Sequence, residues 1–208
     1  MLAIGVAAAA PASAFPLISE FFYDAVGSDD GFSFIELFGT PGTDLAGWTL
    51  EGINGSNGAA GPVLGLSGVI SADGLFVIAD GTAGGMPSVA DADLVLDFDF
   101  QNGPDSVVLH LAENAADALG YGVFAAGEVF AGEGAPAPDP AAGASLARRF
   151  ADVDSDDNAA DFIVLDVPTP GSAPRNSVPE PGVASLLLLG LAGLAALGSR
   201  RTYRVASH

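Results

Sequence analysis

The chain has 208 residues, with 26 acidic side chains against six arginines, no lysine and no cysteine, for a formal net charge of −20. The lack of cysteine excludes disulfides and thiolate metal sites. Residues 15–178 hold 25 of the acids and only three arginines, a net charge of −22, and a surface of that sign repels phosphate backbones, which argues against nucleic acid as a direct partner.

Read in chain order, residues 1–14 form an alanine-rich apolar run ending in Ala12-Ser13-Ala14, a small-x-small pattern of the kind signal peptidase cuts. The basic stretch expected ahead of it is missing, so either translation starts further upstream or the signal is atypical. The expected mature chain starts at Phe15. A first strand is the weaker reading, because alanine is a poor strand former.

From Phe15 onward, short apolar runs alternate with Gly, Asp, Asn and Pro, which predicts an all-β body. The expected strands are 17–23, 32–38, 48–53, 62–66, 75–79, 94–100, 106–112, 119–124 and 161–167. In 94–100, Leu94, Leu96, Phe98 and Phe100 share one face and Val95, Asp97 and Asp99 the other, a half-buried strand. Asn102-Gly103 before Pro104 signals a tight turn. Residues 125–145, rich in Ala, Gly and Pro, read as a long surface loop. About nine short strands suit a β-sandwich.

Four groups of residues invite a chemical reading. Glu36 lies between Phe34 and Phe38 on one face; a carboxylate there could act as an acid, but a structural role is the preferred reading, because no second catalytic group is placed beside it. Asp152, Asp154, Asp156, Asp157 and Asp161 could converge on calcium, which takes six to eight oxygens. Against that, the EF-hand spacing fails: Asp157 stands where glycine is required and Ile163 where a bidentate glutamate is required. The alternative is an Asp/Asn turn bonding its own backbone. Asp91, Asp93, Asp97, Asp99 and Asp105 read as a solvated face. His110 and Ser106 lack the setting of a nucleophile elbow. Trp48 is expected in the core, and Arg148-Arg149 are expected to bridge nearby aspartates. No catalytic residue is assigned.

Beyond the body stand Val178-Pro179-Glu180-Pro181, a charge-free run of 17 residues from Val183 to Ser199, and Arg200, Arg201 and Arg204. The run is at the lower limit for a membrane-spanning helix, and arginines beside a span stay on the cytoplasmic side. Two prolines keep the preceding segment extended. This order of parts resembles the PEP-CTERM sorting signal, which implies recognition by an exosortase in a Gram-negative bacterium. It also implies removal of the span and delivery to the cell surface or an exopolysaccharide matrix.

The body also carries LISEFFYDAVGSDDGFSFIELF, TDLAGWTLEG, DFQNGPDSVVLHLAENAADALGYGVF and GASLARRFADVDSDDNAADFIVLDVPTPGSAPRN in that order. Together these phrases, covering 15–176, resemble the lamin tail domain, an immunoglobulin-like β-sandwich. The resemblance implies a binding or structural module without activity of its own. The expected protein is therefore an exported, exosortase-sorted surface or matrix module related to adhesion or exopolysaccharide. The alternatives are a calcium-stabilised binding module and a secreted metal-dependent hydrolase.

Overall fold

A computed structural model describes residues 15–82 and 84–176. These residues form ten strands and one helical turn: β1 (Leu17–Phe22), β2 (Phe34–Phe38), β3 (Trp48–Asn54), β4 (Ala60–Gly65), β5 (Leu75–Asp80), β6 (Leu94–Leu96), β7 (Asp105–Leu111), β8 (Asn114–Tyr121), β9 (Ser145–Arg148), α1 (Asn158–Asp161) and β10 (Phe162–Leu165). The strands make two sheets. One has six strands in the order β10-β9-β1-β2-β5-β6, and the other has four in the order β4-β3-β7-β8. All pairings are antiparallel except β5 with β6.

Period-two patterning puts one face of each sheet into a shared apolar core. Ile18, Ile35, Leu37 and Ile78 enter it from the six-stranded sheet, and Trp48, Leu50, Val107, Leu109 and Leu119 from the four-stranded one. At its centre is an aromatic cluster. The Phe21 ring lies 5.0 Å from Tyr23, 5.4 Å from Phe100 and 5.5 Å from Tyr121, the last two edge-on. Aromatic pairs favour such tilted and edge-on contacts, which place the positive ring edge against the negative face.

Several expectations need correction. A strand absent from the sequence reading, β9, begins at Ser145, where a loop was expected to end. It is only four residues long, too short for alternation to stand out. The loop before it is not wholly on the surface: Ala137 is 2% exposed, bridges to Tyr121 and belongs to the core. The strand expected at 119–124 runs instead from Asn114 to Tyr121, because a positive φ at Gly122 turns the chain away. The strand expected over 94–100 ends at Leu96, yet Phe98 and Phe100 keep their inward alternation and fill the core. Asp161 closes α1 rather than opening a strand. Asp105, expected outside with its acidic neighbours, is buried and accepts hydrogen bonds from the N–H groups of Gly55 (2.6 Å) and Gly103 (3.1 Å).

Truncating the central ring should be costly. Phe21→Ala should lower unfolding stability by about 3–5 kcal/mol, read as a lower urea midpoint at unchanged slope. Val123→Ala, at a side chain 84% exposed, should stay within about 0.5 kcal/mol of the parent.

Candidate functional site

The most heavily bonded side chain in the body is Arg148, at the end of β9. It is 1% exposed, the one buried cation among the described residues. Its Nη2 donates to both oxygens of Asp117 on β8 at 3.0 and 3.1 Å. Nη1 donates to Asp161 at 3.0 Å and to Asp154 at 3.2 Å, and Nε to the carbonyl of Ile18 at 3.1 Å. The guanidinium plane also lies over the Phe162 ring, 4.7 Å from its centroid. Only a planar fork of five donors can serve so many acceptors at once, so lysine could not stand in.

Backbone geometry explains why the site forms there. The β1–β2 register shifts between Ile18 and Glu20, and β1 meets β9 only at Glu20 and Phe21. Ile18 has no ladder partner on the β9 side. Its carbonyl accepts from Arg148 and its N–H donates to Asp117 at 2.5 Å. Burial pushes the Asp117 carboxyl up to about 6, while Arg148 and the Ile18 N–H pull the other way.

The acidic turn, read as able either to converge on calcium or to bond its own backbone, does not gather its five carboxylates on one point. Asp154 and Asp161 face Arg148, and Asp161 also accepts from the N–H and the hydroxyl of Ser155. Asp157 caps α1 by accepting from the Ala159 N–H, and Asp152 accepts from the N–H of Asn176. Asp156 is exposed, with a left-handed φ of 55°. Behind the turn, buried Asn158 accepts from the N–H groups of Gly120 and Glu133 and donates to the carbonyl of Ala118. The closest gathering of carboxylates is a different one: Asp117, Glu133 and Asp154 can bring one oxygen each within 4.8 Å of one another. Arg148 already occupies two of the three. Burial pushes Glu133 up to about 8, with Asp117 and Asp154 adding to the effect. A hard dication there would compete with the guanidinium for Asp117 and Asp154.

A second cluster lies on the outer face of the six-stranded sheet. Glu20 and Glu36 are directly opposite each other on β1 and β2, at 1% and 0% exposure. Among the described residues neither has a cation within ion-pair distance. Glu36 accepts from the Ser19 hydroxyl (2.7 Å) and the Gly171 N–H (2.6 Å). Glu20 accepts from the Ser145 hydroxyl (2.6 Å), the Thr169 N–H (2.9 Å) and the Thr169 hydroxyl (2.8 Å). The donors of Thr169 and Gly171 belong to a strap, residues 166–176, that follows β10 and covers both carboxylates. The strap is also held by the Ala151 N–H on the Pro174 carbonyl, and Arg175 lies over the Phe38 ring. Sequence reasoning singled out Glu36 but missed Glu20. The signal available was the Thr-Pro-Gly phrase, whose two free N–H groups need acceptors.

Trp48 is 5% exposed in the core, with Phe15 edge-on at 5.9 Å. Beside Phe15, a shallow groove of about 270 Å³ is lined by Phe38, Pro41, Asp152 and Arg175 among others. His110 sits 3.4 Å from Glu51 on the neighbouring strand. The expected cleavage residues Ala12 and Ala14 lie outside the described residues. So do Val178, Pro179, Glu180 and Pro181, the span 183–199, and Arg200 and Arg201. Among the described residues no helix is long and apolar enough to cross a membrane. No family model, curated protein or solved structure matches the chain.

Because Arg148 engages two of the three clustered carboxylates, thermal unfolding in millimolar calcium and in excess chelator should give Tm values within about 1 °C of each other. A clear rise with calcium would mean that the native state binds the ion through these carboxylates.

Proposed function

We propose that the protein is an exported, exosortase-sorted module of the bacterial cell surface or extracellular matrix, with a non-catalytic binding or structural body. The observation that carries this reading is the order of parts after the strap: Val178-Pro179-Glu180-Pro181, then the charge-free run 183–199, then Arg200, Arg201 and Arg204. In this reading the signal at 1–14 brings the body across the inner membrane, the span holds it there, and the exosortase removes the span. The all-β body in two sheets is compatible with the lamin-tail-like, immunoglobulin-like sandwich that its phrases resemble. The last strand and the strap are both tied to the sheet before residue 177. Cutting within 178–181 therefore leaves every described contact of the body in place.

Binding within a matrix, with exopolysaccharide as the partner, is the role that fits a soluble acidic body delivered to the surface. A hydrolytic reading would need Glu36 or the 152–161 carboxylates to face a substrate. Glu36 is sealed beneath the strap, and Asp154 and Asp161 are engaged by Arg148.

Intact mass of the protein isolated from its own host, combined with cell fractionation, tests the proposal. The expected species starts at Phe15, ends within Val178–Pro181 and is found in the medium or on the outer surface. A species that keeps residues 183–208 and fractionates with the inner membrane would contradict it.

A further inference from the structure

We propose that the Glu20–Glu36 pair is a pH-dependent latch on the strap of residues 166–176, held closed in acid and loosening as the pH rises towards neutrality. The latch itself rests on the geometry of the described residues.

Three observations lead to it. Two carboxylates directly opposite on adjacent antiparallel strands repel each other when both are ionised. Both are buried, and all their partners are N–H or O–H donors, so no cation offsets the second charge. Over them lies a strap without regular structure, eleven residues long, whose Thr169 and Gly171 donate to them and which takes part in no ladder. Opening it returns both carboxylates to water.

The charged groups around Glu36 are few. Glu20 faces it from β1 and Asp73 from the turn before β5, and both raise its pKa. On β5 its neighbour is Val77, which is uncharged. The strap contributes only Asp166 at its start and Arg175 near its end; Arg175 lies over Phe38 and acts electrostatically on Asp73. Burial is the largest influence and pushes Glu36 up to about 7 from an ordinary 4.5, against the pull of Ser19 and Gly171.

The closed strap thus holds a proton on Glu36 that the open strap releases. A group whose pKa is raised in the closed form favours closure fully below its open-state value, and that preference is lost as the pH rises to the closed-state value. The window runs from about 4.5 to about 7. When protonated, Glu36 can donate to the Ser19 hydroxyl and still accept from Gly171, so the closed geometry suits the neutral acid.

The test is hydrogen exchange of the full chain in detergent, followed at the Thr169 and Gly171 amides from pH 5 to pH 8 and corrected for intrinsic exchange. Opening should increase on the order of 50-fold over that range. Glu36→Gln keeps both hydrogen bonds without a titrating group, and should stay protected with no pH slope. Protection of the Val107–Leu109 amides in β7 reports that the variant is folded. Thr169→Val, which removes a strap donor and leaves the sheet intact, should lower Gly171 protection at every pH. Wild-type protection that does not change with pH would overturn the latch, as would a Glu36→Gln slope equal to the wild type or a Thr169→Val variant with unchanged protection. A full-length C-terminus in the host would remove the sorting reading and leave the latch standing. A flat pH profile would do the reverse.

Discussion

One guanidinium holds the two sheets of this body to each other. Arg148 lies on β9 of the six-stranded sheet, Asp117, which it engages through both oxygens, on β8 of the four-stranded sheet, and Asp117 in turn takes the free N–H of Ile18 on β1. The remaining donors reach back to the acidic turn and α1. The apolar core supplies most of the driving force for bringing the sheets together, but it is not directional. The network fixes their register at the point where β1 parts from β9. Such a buried network is demanding, since removing one member leaves the others as buried groups without partners.

The rest of the structure follows from having so few cations. With 25 acids and three arginines in residues 15–178, most carboxylates cannot find a counterion. They serve instead as acceptors for backbone N–H groups that lie outside the ladders. Asp80 takes those of Gly31 and Phe98, Asp93 that of Val77, and Asp105 those of Gly55 and Gly103. Glycine-rich turns supply free N–H groups and aspartates satisfy them, which ties the turn composition and the acidity of the chain to one structural use. Glu36 is the extreme case, a fully buried acid satisfied by donors alone and pushed up to about 7 by that burial.

What could be read from the sequence follows the same physics. Alternation is local, so the inward faces of 94–100 and of β7 were legible even where the strand boundaries were not. Bridging of Arg148 to nearby acids was legible in Asp154 and Asp161, six and thirteen residues away. Its pairing with Asp117 was not, because that contact spans 31 residues and depends on how two sheets stack. The Glu20 contact with Thr169 spans 149 residues, and no local pattern marks it. The four residues of β9 give alternation too little length to act on. The acidic turn invited a cation-loop reading because its aspartates alternate, yet in the fold two of them, Asp154 and Asp161, face a cation carried by the protein itself.

The central claim is that Arg148 and Asp117 act as a coupled pair holding the sheets in register. A double-mutant cycle with Arg148→Met and Asp117→Asn, each followed by urea unfolding, tests it most directly. Each single variant should lose about 3–5 kcal/mol, and the double variant should lose much less than the sum of the two. Losses that simply add would mean that the two side chains stabilise the body independently, and that the core alone sets how the sheets meet.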